Sequence, residues 1–509
     1  MFLAGKNNIL RTLSNFIAFA SVLILFNGVS VAQEDLVMAG EPATVRVLSL
    51  HDCLEIAQVE NISLKRTRLG FESSLLDRMK AESIFDPGFQ AGFSGRHTSS
   101  GTGGDSNRID LGMKFTFPTW DGGRWIFSFD QARADGTTTI GGASSNFTAY
   151  STSLGLTYAL PLLEGSGERI NRIAVNRADL SVARSEAMIS ETMRSLRFGI
   201  IQTYINAVLA ARAINVARLS LENAGNLVEE VQARINVGQL APYEMLAARA
   251  GLAEREENLI NAKASYKIAL DSLKELIGLP LVDEIAIDTN SLSLVNIVVN
   301  VDDLFLQAQK SRPDLQELDI RISQARLDLL LAEDRRKASL LWNTSLGLSG
   351  EGDGYGDSIS DLENFSWYTG LEYQIPLGGN RAAVADAQNA ALNLENLELE
   401  RTNYLRGLMR DIRAAVEELD NALLRIDVTL QGLEVQKVKI ESERTRLSLG
   451  LITSRDMLEF DVQYASALLA YDRAIADAML AVAKIEYLTD RNLLEDALVL
   501  GNIQNDRDD

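Results

Sequence analysis

Apolar and polar residues follow two different periods along this chain. Over residues 150–160 they alternate, so that apolar side chains fall on one face of a strand and small polar ones on the other. Similar alternation recurs between residues 85 and 131 and again between residues 341 and 376. Long segments that follow these regions are free of proline and repeat apolar residues every three or four positions. The pattern predicts a mainly α chain in which long helices are joined to β regions.

Part of the helical pattern occurs twice. Residues 234–278 and 446–490 match each other without a gap. Both copies place a glycine four residues after an arginine and an acid directly before a Met-Leu pair. Each copy has the signals of one helix ending, a turn, and a second helix starting. We therefore predict an internally duplicated fold with two equivalent helical tips, at Gly238 and Gly450.

The two periods also set the predicted boundaries. Residues 1–32 have the basic start, apolar run and small-residue cleavage site of a secretory signal peptide. The first repeat, residues 33–280, is predicted to contain a helix at 49–84, a β region at 85–160, a long helix at 168–237, the first tip and a return helix at 241–277. A linker at 281–300 leads to the second repeat, residues 301–492, with a helix at 301–339, a β region at 341–376, a long helix at 380–449, the second tip and a return helix at 453–489. Residues 493–509 form an acidic tail.

Charge and composition narrow the function classes. The formal net charge is −21 with no basic stripe to offset it, which argues against a nucleic-acid partner. The single cysteine and two histidines have no metal-site spacing, and no phosphate-binding loop or nucleophile motif occurs. We therefore expect no metal, no cofactor and no enzymatic activity. After the signal peptide no apolar run reaches the roughly 18–20 residues of a spanning helix, so we expect any membrane contact to use strands.

Strands with one apolar and one polar face fit two structures. One is the sheet of a soluble β-sandwich, and the other is a transmembrane barrel with lipid outside and water inside. The signal peptide and the aromatic residues on the apolar faces favour the barrel. The side chains expected to face lipid are Leu154, Leu156, Tyr158, Trp367, Leu371 and Tyr373. One chain offers too few strands to close a barrel, so several chains must share it.

The chain resembles the TolC-like outer-membrane efflux proteins over about residues 49–490. The resemblance rests on the strand-end motifs at 161–163 and 376–379, on Arg312-Pro313-Asp314-Leu315, and on the paired tips. It implies a homotrimer whose chains share one 12-stranded β-barrel in the outer membrane, continued across the periplasm by a long coiled-coil α-helical barrel. A periplasmic adaptor and an inner-membrane pump would dock at the far end. The implied function is a passive exit duct of a tripartite efflux or type I secretion system, opened by that docking.

The resemblance also implies two sites at the tips. Asp456 and Glu459 correspond to positions that line the periplasmic aperture, and Glu244 to one that helps to hold the closed state. Converging carboxylates would attract cations and raise their own pKa values, whereas the alternative is an ordinary solvated helix start. The adaptor-docking surface would comprise Val237, Gly238, Gln239, Leu449, Gly450 and Leu451. Its alternative is simple helix termination by glycine.

The sequence leaves other points open. The first β region is longer than the second by enough residues for one additional hairpin near residues 109–131, and the pattern does not indicate whether this hairpin joins the barrel. A periplasmic coiled-coil adaptor or an exported structural rod protein would share the long helices. Neither would need the alternating aromatic strands. The pattern does not indicate a transported substrate.

Overall fold

A computed structural model describes residues 46–100, 104–140, 143–289 and 299–491. The predicted signal peptide and acidic tail lie outside these residues, as does the part of the linker between 290 and 298. The elements in chain order are β1 (Arg46–Leu48), α1 (Leu50–Glu60), α2 (Ile62–Glu82), β2 (Gly88–Ser100), β3 (Gly104–Pro118), β4 (Arg124–Ile140), β5 (Ala143–Pro161), α3 (Glu168–Asn171), α4 (Ile173–Asn236), α5 (Glu244–Ile277), β6 (Ile285–Ile287), α6 (Val301–Ser311), α7 (Pro313–Asp334), β7 (Ser339–Gly352), α8 (Tyr355–Ser360), β8 (Asn364–Gln374), α9 (Arg381–Ser448) and α10 (Ser454–Thr489).

The order of elements repeats in the two halves. Each half has two short helices, a β region, one very long helix and a shorter return helix. The long helix α4 has 64 residues and α9 has 68, so each rod is roughly 100 Å long at 1.5 Å per residue. The return helix α5 packs along α4, and α10 packs along α9. The long helices predicted at 168–237 and 380–449 compare with α4 at Ile173–Asn236 and α9 at Arg381–Ser448.

The segments predicted as single helices at 49–84 and 301–339 are each divided, and the one predicted at 168–237 is also divided, at Arg172, into the short α3 and the long α4. The first breaks at Asn61, whose extended backbone ends α1 and whose side chain accepts a hydrogen bond from Leu64 N at 2.8 Å to cap α2. The second breaks at Arg312, because the residue before a proline disfavours helical backbone. This second segment also stops being helical earlier than predicted. It ends at Asp334, and Ser339 already belongs to β7.

The segment predicted as a linker contains a strand. β6 pairs in parallel with β1, with Arg46 opposite Ile285. Tyr204 of α4 is buried beside this pair and donates its hydroxyl to the backbone oxygen of Asp288 at 3.0 Å. Tyr204 belongs to the main apolar core, which collects side chains from both long helices, both return helices, α1 and α6. The β1–β6 pair therefore closes one side of this core.

Helix α4 also corrects an expectation about membrane spans. It contains an 18-residue stretch with a mean hydropathy of 1.2, enough by length and composition to cross a membrane. The expectation that no such stretch follows the signal peptide was therefore wrong. The stretch is apolar because α4 packs into the main core, to which it supplies Ile200, Ile201, Ile205 and Val208. A core-facing helix meets the same compositional criterion as a spanning one.

Six strands form one antiparallel sheet in the order β2-β3-β4-β5-β7-β8. The additional hairpin, whose place the sequence left open, joins this sheet as β3 and β4. Its outer strand pairs with β2 from Gly88 opposite Thr116 to Ser100 opposite Gly104. The chain therefore contributes six strands, where an equal share of a 12-stranded trimeric barrel would be four.

The side chains predicted to face lipid all lie on one face of this sheet. Leu156 is opposite Leu346, which in turn is opposite Trp367, and the other predicted residues fall in neighbouring rows of the same face. Trp367 and Leu371 of the edge strand are 69% and 67% exposed. The opposite face carries mostly small or polar residues. The sheet thus separates an apolar face from a polar one.

Candidate functional site

Both tips end their long helices in the same way. Gly238 has φ of 76° and Gly450 has φ of 75°, in the left-handed region that glycine adopts without steric penalty. The residue after each glycine donates its N–H to the carbonyl of the arginine four residues before that glycine, at 2.9 Å in the first tip and 3.0 Å in the second. This is a glycine helix cap, so the termination role is present at both tips.

Apolar side chains are exposed on both tips. Val237 and Leu449 are each 69% exposed and Leu451 is 64% exposed, and Gln239 lies beside them in solvent. A Cβ atom added to Gly238 or Gly450 would meet open space. Within one chain the glycines are therefore required by their backbone angle and not by close packing. Three exposed apolar side chains, Val237, Leu449 and Leu451, therefore lie at the two tips.

Asp456 starts the second return helix through a capping box. Its carboxylate accepts hydrogen bonds from the backbone N–H and the hydroxyl of Thr453, at 3.0 and 2.8 Å, and its own N–H donates to that hydroxyl at 3.2 Å. The backbone hydrogen bond, followed by the hydroxyl one, lowers the pKa of Asp456 below its usual value. In a single chain the direction is thus opposite to the rise expected from three converging carboxylates.

The other two predicted aperture acids, Glu459 and Glu244, lie at the starts of different return helices. Glu459 follows Asp456 on α10 and is exposed. Glu244 starts α5, where Ala241 occupies the place that Thr453 has in the second tip, so this helix start has no hydroxyl cap. Among the residues that the structure describes, no group of histidine, cysteine and acidic side chains could hold a metal ion.

Direct contacts between the two halves lie behind the tips. The guanidinium of Arg234, at the end of α4, donates to the backbone oxygen of Leu447, at the end of α9, at 2.6 Å. Below it Met245 and Met457, the methionines of the two Met-Leu pairs, are buried in one apolar cluster with Leu447. The duplicated acid–Met-Leu signature thus has a packing role as well, since its methionines hold the two tips together.

A polar network further along the rods joins four helices, and the sequence did not predict it. Asp461 of α10 is buried, accepts a hydrogen bond from Asn223 of α4 at 2.8 Å, and lies 4.0 Å from Arg255 of α5. Arg444 of α9 donates to the same asparagine at 2.6 Å. Buried charges need such partners. The network therefore fixes the relative positions of the four helices near the tip end.

The Arg-Pro-Asp-Leu motif forms a second cluster, about a third of the way along the long helices from their sheet ends. Asp314 pairs with Arg312 and with Arg194 of α4, the latter at 2.9 Å, and accepts the Tyr404 hydroxyl of α9 at 2.8 Å. Pro313 occupies the first turn of α7, where its missing N–H is harmless. The motif therefore starts a helix and ties it to both long rods.

An apolar-faced sheet, two long helical hairpins and paired tips together define the architecture of this chain. Comparisons with known proteins agree. The profile of the outer membrane efflux protein family matches residues 54–279. The pyoverdine export outer membrane protein OpmQ of Pseudomonas putida is 23% identical over 320 residues, which are 62% of this chain and 64% of that protein. The chain thus matches slightly less than two thirds of this relative's length.

Solved structures show the same fold. The Campylobacter jejuni CmeC outer membrane channel has a TM-score of 0.62 at 18% identity, covering 86% of this chain and 85% of its own. The outer membrane protein VceC of Vibrio cholerae has a TM-score of 0.65 at 15% identity, covering 86% of this chain and 95% of its own. The match of residues 54–279 to the outer membrane efflux protein family and the shared fold confirm the resemblance noted in the sequence. The solved structures that share this fold are outer-membrane channels and proteins.

Proposed function

We propose that three copies of this chain form a passive exit duct in the outer membrane. The duct would receive cargo from an inner-membrane pump and would open when a periplasmic adaptor docks onto the tips. Such a duct serves tripartite efflux or type I secretion. Pyoverdine export, named for the relative in Pseudomonas putida, is an activity of the same general kind.

One observation carries the proposal: the same rods join an apolar-faced sheet at one end to exposed apolar tips at the other. Helix α4 follows strand β5 and ends at the first tip, and α9 follows β8 and ends at the second. A duct across the outer membrane needs both a lipid-contacting part and a remote docking part. A periplasmic adaptor or an exported rod would need no apolar-faced sheet. The family match favours the duct over both alternatives.

We infer that the aperture of this duct lies where the return helices begin. In a threefold assembly Asp456, Glu459 and Glu244 would each become a ring of three carboxylates. Asp456 and Glu459 are three residues apart and therefore lie on one side of α10. Rings of acidic side chains favour cations in a pore. The capping role of Asp456 is compatible with this, because a carboxylate that accepts two hydrogen bonds from Thr453 keeps its negative charge.

The aperture is tested by removing its charges. We expect Asp456→Asn combined with Glu459→Gln to reduce the cation preference of single channels in planar bilayers, because six negative charges leave the trimer. The reversal potential in a salt gradient measures this preference. The matched control is Thr453→Ala, which removes the helix cap at a cost of about 1 kcal/mol but keeps both charges. Equal cation preference in wild type and double variant would contradict the aperture assignment.

A further inference from the structure

The additional hairpin extends the apolar face of the sheet in register. One row of directly opposite residues crosses all six strands and is apolar throughout; it consists of Phe89, Phe115, Phe127, Leu156, Leu346 and Trp367. The adjacent row, from Ala91 at one edge to Phe365 at the other, is apolar as well. β3 and β4 therefore present the same surface as the strands on both sides of them.

The opposite face continues across the hairpin in the same way. On this face, the row next to the one from Phe89 to Trp367 consists of Gln90, Lys114, Ser128, Gly155, Gly347 and Ser366. Every member is small or polar. If the hairpin projected into water, its strands would not need an apolar face. They would also not need to match, residue by residue, the face of β5 that is expected to contact lipid. The register therefore indicates that β3 and β4 lie in the same environment as β5.

Both ends of the hairpin match the ends of the apolar band. The band on β5 covers residues 150–160, close to the 9–11 residues of a membrane-spanning strand. Beyond it, His97 Nδ1 lies 2.7 Å from Asn107 Oδ1, and Asn107 donates to Asp135 at 3.1 Å, so polar side chains link β2, β3 and β4. The apolar face thus gives way to polar side chains at the same height on β2, β3 and β4.

At the helical end the turn between β3 and β4 is fixed to the start of the rods. The Trp120 ring stacks on Phe85 with centroids 4.0 Å apart, and the Arg172 guanidinium lies 4.9 Å from the centre of the same ring. The backbone oxygen of Asp121 accepts a hydrogen bond from Gly167 N at 3.0 Å. The turn is therefore built into the junction between the sheet and the helices, and it does not hang free.

Among the residues that the structure describes, no strand pairs with the outer side of β2 or of β8. β2 and β8 are the edges of the sheet, and their apolar residues Phe93 and Trp367 are 75% and 69% exposed. Six strands are fewer than the eight of the smallest outer-membrane barrels. Because the sheet is antiparallel with an even number of strands, β2 and β8 run in opposite directions. A second copy can therefore place its β2 antiparallel to β8.

We propose that β8 of each copy pairs with β2 of the next, so that three copies close an 18-stranded barrel. The resemblance of the sequence implies 12 strands, and the hairpin adds two from each copy. Since barrel diameter grows roughly linearly with strand number, this barrel is about one and a half times as wide as a 12-stranded one with the same tilt. The inference rests on the proposed trimer.

Strand counting tests this proposal directly. The signal-processed protein is purified from outer membranes, placed in lipid nanodiscs and imaged by electron cryomicroscopy. The expected result is a barrel of 18 strands with β3 and β4 in its wall. A 12-stranded barrel, with two of the first four strands of each chain (β2–β5) outside its wall, overturns the inference but leaves the exit duct intact. A particle without a shared barrel overturns the proposed function itself.

Disulfide crosslinking in membranes gives a second reading. Trp367→Cys is combined in turn with Phe89→Cys, Ala91→Cys or Phe93→Cys, which scan the register of β2. The native thiol does not interfere, because Cys53 is buried and its burial raises the pKa to about 12. We expect crosslinks between chains from at least one of these pairs.

The matched comparison pairs Trp367→Cys with Phe127→Cys on β4, which would be the neighbouring edge if β2 and β3 lay outside the barrel. We expect no crosslink between chains from this pair. Crosslinks from Phe127→Cys alone, or none from any of the three β2 positions, would overturn the 18-stranded closure. Wild-type chains and the Trp367→Cys single variant are treated in parallel to identify disulfides that do not depend on β2.

Discussion

Gly238 and Gly225 lie on the same rod in different backbone conformations. Gly238 ends α4 with φ of 76°, whereas Gly225 lies inside the helix, and an added Cβ meets open space at both. We expect Gly238→Ala to destabilise the protein by about 1–2 kcal/mol, because a side chain disfavours left-handed backbone. Gly225→Ala should stabilise it by up to about 1 kcal/mol, because alanine favours the helix interior. Thermal unfolding of the purified protein measures both, and equal shifts would contradict the capping role.

Glu191 gives the stability a dependence on pH. Burial, and then a hydrogen bond shared with Asp314, raise the pKa of Glu191 from 4.5 to about 7. The folded chain therefore keeps a proton at this carboxyl that the unfolded chain has released, and the free energy of unfolding falls as pH rises from about 4.5 to about 7. The pKa of Asp314 is lowered: burial opposes this, but hydrogen bonds from Glu191 and Arg312 and the charge of Arg312 prevail. Its stabilising effect is lost only in more acidic solution.

The Glu191→Gln variant tests this assignment. Glutamine keeps a hydrogen-bonding side chain but does not titrate, so the loss of stability between pH 5 and pH 8 should shrink by about 1 kcal/mol, allowing for partial exposure of the carboxyl. Apparent melting temperatures at the two pH values measure the difference. The control is Glu186→Gln, an exposed acid on the same helix. An unchanged pH dependence in Glu191→Gln would contradict a titrating Glu191.

At the scale of elements, the two tips are the surface that we expect an adaptor to contact. We expect the combined change Val237→Ser, Leu449→Ser and Leu451→Ser to abolish crosslinking to the adaptor, because it removes exposed apolar area without touching the glycine caps. The control is Val282→Ser, an 88% exposed residue just beyond the far end of α5. It should crosslink like wild type. If the triple variant still crosslinks while its trimer is intact, the tips are turns and nothing more.

The long helices could be predicted because an apolar period of three to four over some sixty residues fits few other structures. The tips could be located because duplication aligns Gly238 with Gly450. The break at Pro313 had a signal in the proline itself, and the cap between Thr453 and Asp456 had one in the spacing of a hydroxyl and an acid. Each signal involves only a few residues, whereas the helix boundaries were predicted from the apolar repeat over the whole segment.

The contacts between rods could not be predicted in the same way. Asp461 meets Asn223 and Arg255 although more than 200 positions separate it from either of them. Periodicity assigns a residue to a face of its own helix and does not say which polar group of another helix it will meet. The duplication gave no help either, because the first repeat has Arg249 at the position matching Asp461. The additional hairpin was visible in length alone, and its place needed the register of the sheet.

At the scale of the whole molecule, the described part of one chain leaves three features uncovered: a sheet face, the sheet edges and the tips. The sheet has an apolar face and two free edges, and the tips expose apolar side chains. Free edges and apolar faces favour association. Lipid would cover the face, neighbouring copies the edges, and an adaptor the tips. These three requirements match the outer-membrane site, the shared barrel and the docking role of the proposed exit duct.

The central claim is that several chains build one outer-membrane channel, and the mass of the native particle tests it most directly. Outer membranes are separated, extracted with mild detergent, and the signal-processed protein is weighed by light scattering or native mass spectrometry with detergent subtracted. We predict a stable particle of three chains from the outer-membrane fraction. A soluble monomer or a long polymer would contradict the claim.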